Sequence, residues 1–220
     1  MSNGKTLIAL VGPTASGKTA AGIQLARQLN TVIISADSRQ FYREMAVGTA
    51  KPTPAELLQA RHYFVNSHSV TETWNVGDFE QQGLQLLNQL FIDHNTVVMV
   101  GGSGLYVKAI CEGFDQLPIA TPEIREDLNL AFQEKGIGWL QQQLKLVDPV
   151  YYREVDLNNP QRIIRALEVY GTTGKPFSSY RKAARRQRPF NILKIGIAMP
   201  RDTLYNRINL RVDEMIRQGL

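Results

Sequence analysis

A glycine-rich segment that begins at Gly12 is the sequence feature that most constrains the fold. Its eight residues match the pattern G-x-x-x-x-G-K-[ST], with an apolar run before it and a helical pattern after it. In such a strand–loop–helix unit, backbone N–H groups converge on an anion, and the helix N-terminus adds a partial positive charge. We therefore expect a diphosphate- or nucleotide-binding loop, a P-loop, composed of Gly12, Pro13, Thr14, Ala15, Ser16, Gly17, Lys18 and Thr19.

Short apolar runs alternate with helical patterns in both end regions of the chain. The runs that predict strands are residues 7–11, 31–35, 96–100 and 192–199, and helical patterns cover residues 18–29, 84–91 and 202–216. Buried strands that alternate with helices are typical of a parallel sheet covered on both faces. The sequence therefore predicts an α/β fold with a P-loop NTPase-like core.

The pattern changes in the middle of the chain, where strand-like runs are scarce. Pro122 and Pro160 are each placed to start a helix, and Trp139, Leu140, Leu144 and Val147 form an apolar stripe at helical spacing. We expect a core formed by residues 1–110 and 190–220, and a helical insertion formed by residues 111–189.

Positive charge is concentrated near the end of this insertion. The chain has a net charge of +5, whereas residues 151–188 alone hold nine Lys or Arg and three Asp or Glu. A solvated helix face is the ordinary explanation of a charge run, but a basic segment also favours a nucleic-acid partner. The most crowded basic residues are Arg181, Lys182, Arg185, Arg186 and Arg188.

Several classes of protein are disfavoured by composition. Cys111 is the only cysteine, so an intrachain disulfide is impossible, and no apolar run is long enough to span a membrane. We expect a cytoplasmic protein without a membrane partner, and a monomer.

The P-loop alone does not determine the reaction. Many ATPases hold magnesium with an Asp at a strand end, but the third predicted strand ends in Gly101-Gly102-Ser103-Gly104. The acid in a comparable position is Asp37, which follows the second strand. Asp37 suits a general base, and a metal ligand or helix cap equally well.

Five motifs in this order resemble the tRNA dimethylallyltransferase family, also called tRNA isopentenyltransferases. They are the P-loop, Asp37-Ser38-Arg39-Gln40, Gly48-Thr49-Ala50-Lys51-Pro52, Gly101-Gly102-Ser103-Gly104-Leu105-Tyr106, and Asn159-Pro160-Gln161-Arg162-Ile163-Ile164-Arg165-Ala166-Leu167-Glu168. The resemblance covers almost the whole chain. Because members of the family are about half as long again, it implies a C-terminally truncated, bacterial-type member.

The resemblance implies transfer of a dimethylallyl group from dimethylallyl diphosphate to N6 of the adenosine 3′ to the anticodon of a tRNA, with release of pyrophosphate. Asp37 would be the base, Lys18 would hold the diphosphate, and Thr19 would hold Mg²⁺ and the bridging oxygen. Arg207 would grip the diphosphate from the opposite side, with Arg211 a weaker candidate for the same role.

The family also implies which residues contact the anticodon stem-loop of the tRNA. They are Asp37, Ser38, Arg39, Gln40, Ser103, Arg125, Gln161, Arg162, Ile163, Ile164 and Arg165. The family commonly has Thr where this chain has Ser103, and the hydroxyl is retained. The basic stretch of residues 181–188 would follow the RNA stem and hold phosphates.

Three other functions are compatible with parts of this pattern. A small-molecule kinase would bind ATP at Lys18, and an adenylate isopentenyltransferase would modify free nucleotides without a basic insertion. A non-catalytic RNA-binding module would need neither the P-loop nor Asp37.

Overall fold

A computed structural model describes residues 4–115, 117–118, 120–181 and 186–220. The chain divides into two compact units, one comprising Met1–Gly113 with Arg185–Leu220 and the other Phe114–Ala184. These boundaries lie within a few residues of those expected from the sequence. Within the described ranges, no helix is long and apolar enough to cross a membrane.

The larger unit is built on a five-stranded sheet in the order β3-β2-β4-β1-β5, and every pairing is parallel. The strands are β1 (Thr6–Val11), β2 (Ile33–Ser35), β3 (His62–Tyr63), β4 (Thr96–Gly101) and β5 (Asn191–Gly196). This arrangement confirms the predicted α/β fold. The loops after β1, β2 and β4 all leave from the carboxyl edge of the sheet, where open α/β sheets bind ligands.

The described residues of the same unit form five helices. They are α1 (Lys18–Gln28), α2 (Pro54–Leu57), α3 (Val76–Asp93), α4 (Gly104–Glu112) and α8 (Arg201–Arg217). The main core cluster joins sheet residues such as Leu7 and Val97 to Phe79 and Leu87 of α3 and Ile110 of α4. A smaller cluster includes Ile23 and Ala26 of α1. Strands β1, β2 and β4 are therefore buried, which holds the loops at their ends in place.

The smaller unit is helical, as predicted, and has its own core. Its helices are α5 (Pro122–Val147), α6 (Pro149–Tyr152) and α7 (Pro160–Thr173), followed by a 3-10 helix at Phe177–Tyr180. Leu140 and Leu144 of α5 pack with Ile163 and Ile164 of α7, all four fully buried. Helix α5 is interrupted at Gly136, which has a φ of 73°.

Strand β3 and helices α2, α4 and α6 have no counterpart in the sequence-based assignment. Strand β3 has only two residues, and α2 and α6 have four each, so none carries a readable period. Helix α3 begins at Val76, eight residues before the predicted 84–91 pattern. Its start is fixed by Asn75, whose side chain accepts the N–H groups of Gly77 and Asp78.

Candidate active site

The glycine-rich segment connects β1 directly to α1, as predicted. A Cβ on Gly12 would lie 2.9 Å from the carbonyl oxygen of Ile197, so a side chain cannot fit there. Gly17 precedes the first residue of α1 with a left-handed φ of 87°. These two glycines allow the loop to turn sharply into the helix, which leaves the N-terminal N–H groups of α1 facing the cleft.

Two side chains of the loop, those of Lys18 and Ser16, are suited to contact a bound anion. The Lys18 ammonium donates to the carbonyl oxygens of Gly12 at 2.9 Å and Pro13 at 2.6 Å. Burial lowers the pKa of Lys18, an effect opposed by the nearby Asp37 carboxylate. The Ser16 hydroxyl is buried and has no hydrogen-bond partner. A buried polar atom without a partner is costly, so the Ser16 hydroxyl would gain a hydrogen bond from an anion bound in the loop. The positive charge of Lys18 would attract the same anion.

The Asp37 carboxylate lies in a tight turn directly after β2. Its Oδ1 accepts the Arg39 N–H at 3.1 Å. The Ser103 hydroxyl accepts the Ser38 N–H at 3.0 Å and lies 3.2 Å from the Ser38 hydroxyl. Ser103 therefore holds the turn that carries Asp37, in addition to any contact with RNA.

Two glycines bring the Asp37 turn close to the P-loop. A Cβ on Gly101 would lie 2.7 Å from the Ala36 carbonyl carbon, so only glycine allows the ends of β4 and β2 to approach this closely. A Cβ on Gly102 would lie 3.9 Å from both Asp37 Oδ2 and Lys18 Nζ. The carboxylate and the ammonium therefore flank the same point.

Two arginines of α8 reach the P-loop from the C-terminal part of the chain. Arg211 Nη1 donates to the Thr14 hydroxyl at 3.0 Å, and an Arg207 Nη1 lies 3.8 Å from the position of a Cβ on Gly17. Burial lowers the pKa of Arg211, and Asp37 opposes this effect. The structure thus brings both arginines to the P-loop. Arg211, the weaker candidate from the sequence, is the one that hydrogen-bonds to Thr14.

These elements enclose an open cleft of about 570 Å³. Its lining combines the P-loop, the Asp37 turn and one arginine of α8, and includes Thr14, Ala15, Ser16, Gly17, Lys18, Thr19, Asp37, Ser38, Arg39, Gln40, Lys51, Glu56, Gly102, Ser103 and Arg211. A narrower pocket behind Lys18 and Asp37 is lined by Ile33, Val100 and His62 among others. His62 donates from Nδ1 to the Ala60 carbonyl at 2.8 Å, and burial lowers its pKa.

The predicted RNA contacts in the helical unit divide into exposed and buried residues. Arg162 is exposed, and so are Gln161 and Arg125, which bond to each other at 3.2 Å. Arg165 is half-buried, and it shares the buried Glu168 carboxylate with Arg125. The prediction is wrong for the side chains of Ile163 and Ile164, because both are fully buried in the core of this unit.

The basic stretch of residues 181–188 also differs from expectation. The side chain of Arg188 is only 7% exposed, and it donates to Glu80 and to the carbonyls of Ala109 and Ile110. Arg181 pairs with Glu154, and Arg186 lies 3.9 Å from Glu80. Lys182 and Arg185 lie outside the described residues. The acidic partners of these three arginines, Glu154 and Glu80, lie 27 or more residues earlier in the sequence.

The helical unit is also less basic than the insertion we expected. Residues 114–184 hold nine Lys or Arg and nine Asp or Glu, so the unit is neutral and the excess charge belongs to the α/β unit.

A family model described as IPP transferase matches residues 40–220 of the chain. The chain belongs to the IPP transferase family. It is 50% identical to the tRNA dimethylallyltransferase of Cytophaga hutchinsonii and 51% identical to that of Christiangramia forsetii. These matches cover 98% and 97% of this chain and 71% of each relative.

Solved structures agree with this membership. The chain is 36% identical to the tRNA isopentenylpyrophosphate transferase of Bacillus halodurans, with a TM-score of 0.63 over 98% of this chain and 67% of the other. A eukaryotic dimethylallyltransferase that acts on tRNA has the same fold. It is 23% identical, with a TM-score of 0.79, and the match covers 98% of this chain and 54% of that one.

Lys51 lines the cleft, although we assigned it no role from the sequence. It stands in the motif of residues 48–52, which could have drawn attention to it. The Lys51 ammonium donates to the backbone carbonyls of Tyr42 and Arg43, contacts that depend on the tertiary fold and carry no signal in the sequence.

Proposed function

We propose that this chain transfers the dimethylallyl group of dimethylallyl diphosphate to N6 of the adenosine 3′ to the anticodon of a tRNA. The observation that carries the proposal is that Asp37 Oδ2 and Lys18 Nζ flank the same point above Gly102. A general base and an anion cradle in one cleft suit a displacement reaction. Membership of the IPP transferase family, and relatives whose name is tRNA dimethylallyltransferase, support this substrate pair.

In this reaction a bond forms between N6 and the allylic C1 of the donor as the C1–O bond breaks. The proton leaves N6 for Asp37, and the electron pair of the broken bond leaves with pyrophosphate. Negative charge therefore grows on the leaving group. Lys18, the Ser16 hydroxyl and the N–H groups at the start of α1, which all belong to the P-loop or directly follow it, would stabilise that charge.

Arg211 and Arg207 would hold the diphosphate from the side opposite Lys18. Arg211 is anchored to the P-loop through Thr14, so it already points at the cradle. Charge-assisted hydrogen bonds of this kind are about twice as strong as neutral ones.

Magnesium is the cofactor that fits the oxygen atoms of this site. The Thr19 hydroxyl lines the cleft beside Lys18, and Mg²⁺ prefers oxygen ligands with several supplied by substrate phosphates and water. Bound there, the ion would neutralise charge on the diphosphate. The described residues contain no cluster of three His, Cys, Asp or Glu that would hold a metal without substrate.

The adenosine must leave its stack to reach Asp37, which is easiest for a base in a loop. We propose that Arg39, which is exposed in the lining of the cleft, contacts the RNA backbone there. In the helical unit, Arg162, Gln161 and Arg125 offer exposed polar groups for RNA. ATP binding by the P-loop stays a further proposal, in competition with the prenyl donor.

The Asp37→Asn variant tests the base assignment. Transfer to an anticodon stem-loop RNA should fall on the order of 10²- to 10⁴-fold at saturating substrates, the usual contribution of a general base. The affinity for pyrophosphate, measured by calorimetry, should change little because Asp37 is not part of the cradle. The assignment is wrong if the variant keeps the full transfer rate.

A further inference from the structure

The segment that carries Asp37 is irregular from residue 37 to residue 43. It therefore has no continuous backbone ladder to fix its position. On one side, Ser103 holds Ser38, and the Phe41 carbonyl accepts the His68 N–H at 3.0 Å. On the other side lies a second irregular segment, residues 45–52, whose Gly48 and Ala50 have positive φ values.

Gln40 joins these two irregular segments through its side chain. Its Nε2 donates to the carbonyls of Ala50 at 3.0 Å and Thr49 at 3.4 Å. Its Oε1 accepts the Ser35 hydroxyl at 3.1 Å, at the end of β2. A carboxamide has two N–H donors, and both have acceptors inside the protein. For Gln40 to donate to RNA, it would have to release these carbonyls.

Lys51 makes the reciprocal connection. Its ammonium donates to the Tyr42 carbonyl and, at 3.4 Å, to the Arg43 carbonyl. Burial lowers the pKa of Lys51, as expected for an ammonium withdrawn from solvent toward backbone carbonyls. Each segment thus supplies one side chain that binds carbonyls of the other.

The geometry points to Gln40 and Lys51 as a reciprocal clamp that positions the Asp37 segment over the P-loop. This inference rests on the proposed function, and it replaces the RNA contact that the family resemblance implies for Gln40. Both residues act through Asp37 and are positioning residues. A displacement of a reacting group by about 1 Å can cost 10²-fold in rate, so even a small relaxation of the segment should be visible in turnover.

Gln40→Met and Lys51→Met remove the polar groups of the clamp while retaining side chains of similar length. Each should lower the turnover number about 10- to 100-fold at saturating RNA and donor. The RNA dissociation constant and the donor KM should stay within about twofold of wild type. Gln28→Met is the matched control, because Gln28 is exposed on α1, and its turnover should equal that of wild type.

A raised RNA dissociation constant with unchanged turnover would show that Gln40 contacts RNA and would overturn the clamp. Unchanged turnover and binding would overturn it as well. Hydrogen exchange provides a readout that does not depend on activity. Amides of residues 37–51 should exchange at least tenfold faster in both variants than in Gln28→Met, even if the wild type transfers no prenyl group. Equal exchange in all three would contradict the clamp and leave the proposed function to its own test.

Discussion

At the scale of single residues, the site depends on glycines at positions where any side chain would clash with a neighbouring segment. Gly101 allows the end of β4 to lie against Ala36, and Asp37 follows Ala36 directly. Gly12 makes similar room for the Ile197 carbonyl. Gly101 therefore determines how closely the Asp37 turn approaches the end of β4, and Gly12 allows the P-loop to lie against Ile197, just after β5.

Gly101→Ala should destabilise the protein by about 1–3 kcal/mol, the usual cost of overpacking a core, because the strand ends must separate. Urea unfolding measures this change, and prenyl transfer should fall with it. Gly104→Ala is the control, since a Cβ there meets nothing within 4 Å, and its stability should stay within about 0.5 kcal/mol of wild type. Equal stability of the two variants would contradict the close approach.

The pKa of Lys18 gives a prediction about pH. Burial lowers this pKa from the ordinary value of 10.5, so the ammonium loses its proton earlier than an exposed lysine as the pH rises. Diphosphate binding needs the charged form, whereas an arginine stays charged throughout. The ratio of wild-type to Lys18→Arg affinity for pyrophosphate should therefore be constant at low pH and fall before pH 10.5. A ratio that stays constant up to pH 10.5 would contradict the lowered pKa.

At the scale of elements, Arg188 connects the segment before β5 to the end of α4. Its guanidinium donates to two α4 carbonyls and to Glu80 of α3. Arg181, seven residues earlier, makes an exposed ion pair with Glu154. Two arginines of one basic stretch therefore have very different surroundings.

Arg188→Met should destabilise the protein by about 3 kcal/mol because the buried Glu80 carboxylate would lose its ion pair with Arg188. Arg181→Met should cost no more than about 1 kcal/mol, as exposed ion pairs usually do. Thermal and urea unfolding would measure both changes. The structural assignment of Arg188 fails if its replacement leaves stability unchanged and weakens RNA binding instead.

The sequence predicted the elements with strong local signals and missed those fixed by tertiary contacts. The P-loop, β1, β4 and the proline-started helices follow from local patterns. The cleft position of Asp37, Lys18 and Arg211 also agrees with prediction. The burial of Ile163 and Ile164 follows from the facing helix α5, and the ion pair of Arg188 with Glu80 joins residues far apart in sequence. No local pattern contains such information.

At the scale of the whole molecule, an anion cradle and a base lie in the α/β unit, and the second unit is helical and neutral. The excess positive charge of the α/β unit suits a chain whose proposed substrates, a diphosphate and an RNA, are both anionic. The chain spans 71% of the length of the first relatives it matches. The residues proposed for the chemical step all lie in the part of the chain that matches these relatives.

The most direct test of the central claim is mass spectrometry of an anticodon stem-loop RNA after incubation with the protein, dimethylallyl diphosphate and Mg²⁺. We predict that one dimethylallyl group replaces one hydrogen on the adenosine 3′ to the anticodon, with one pyrophosphate released per product. An RNA with guanosine at that position should remain unmodified. Unmodified RNA in both cases, together with phosphate transfer from ATP to a small molecule, would contradict the account and favour a kinase.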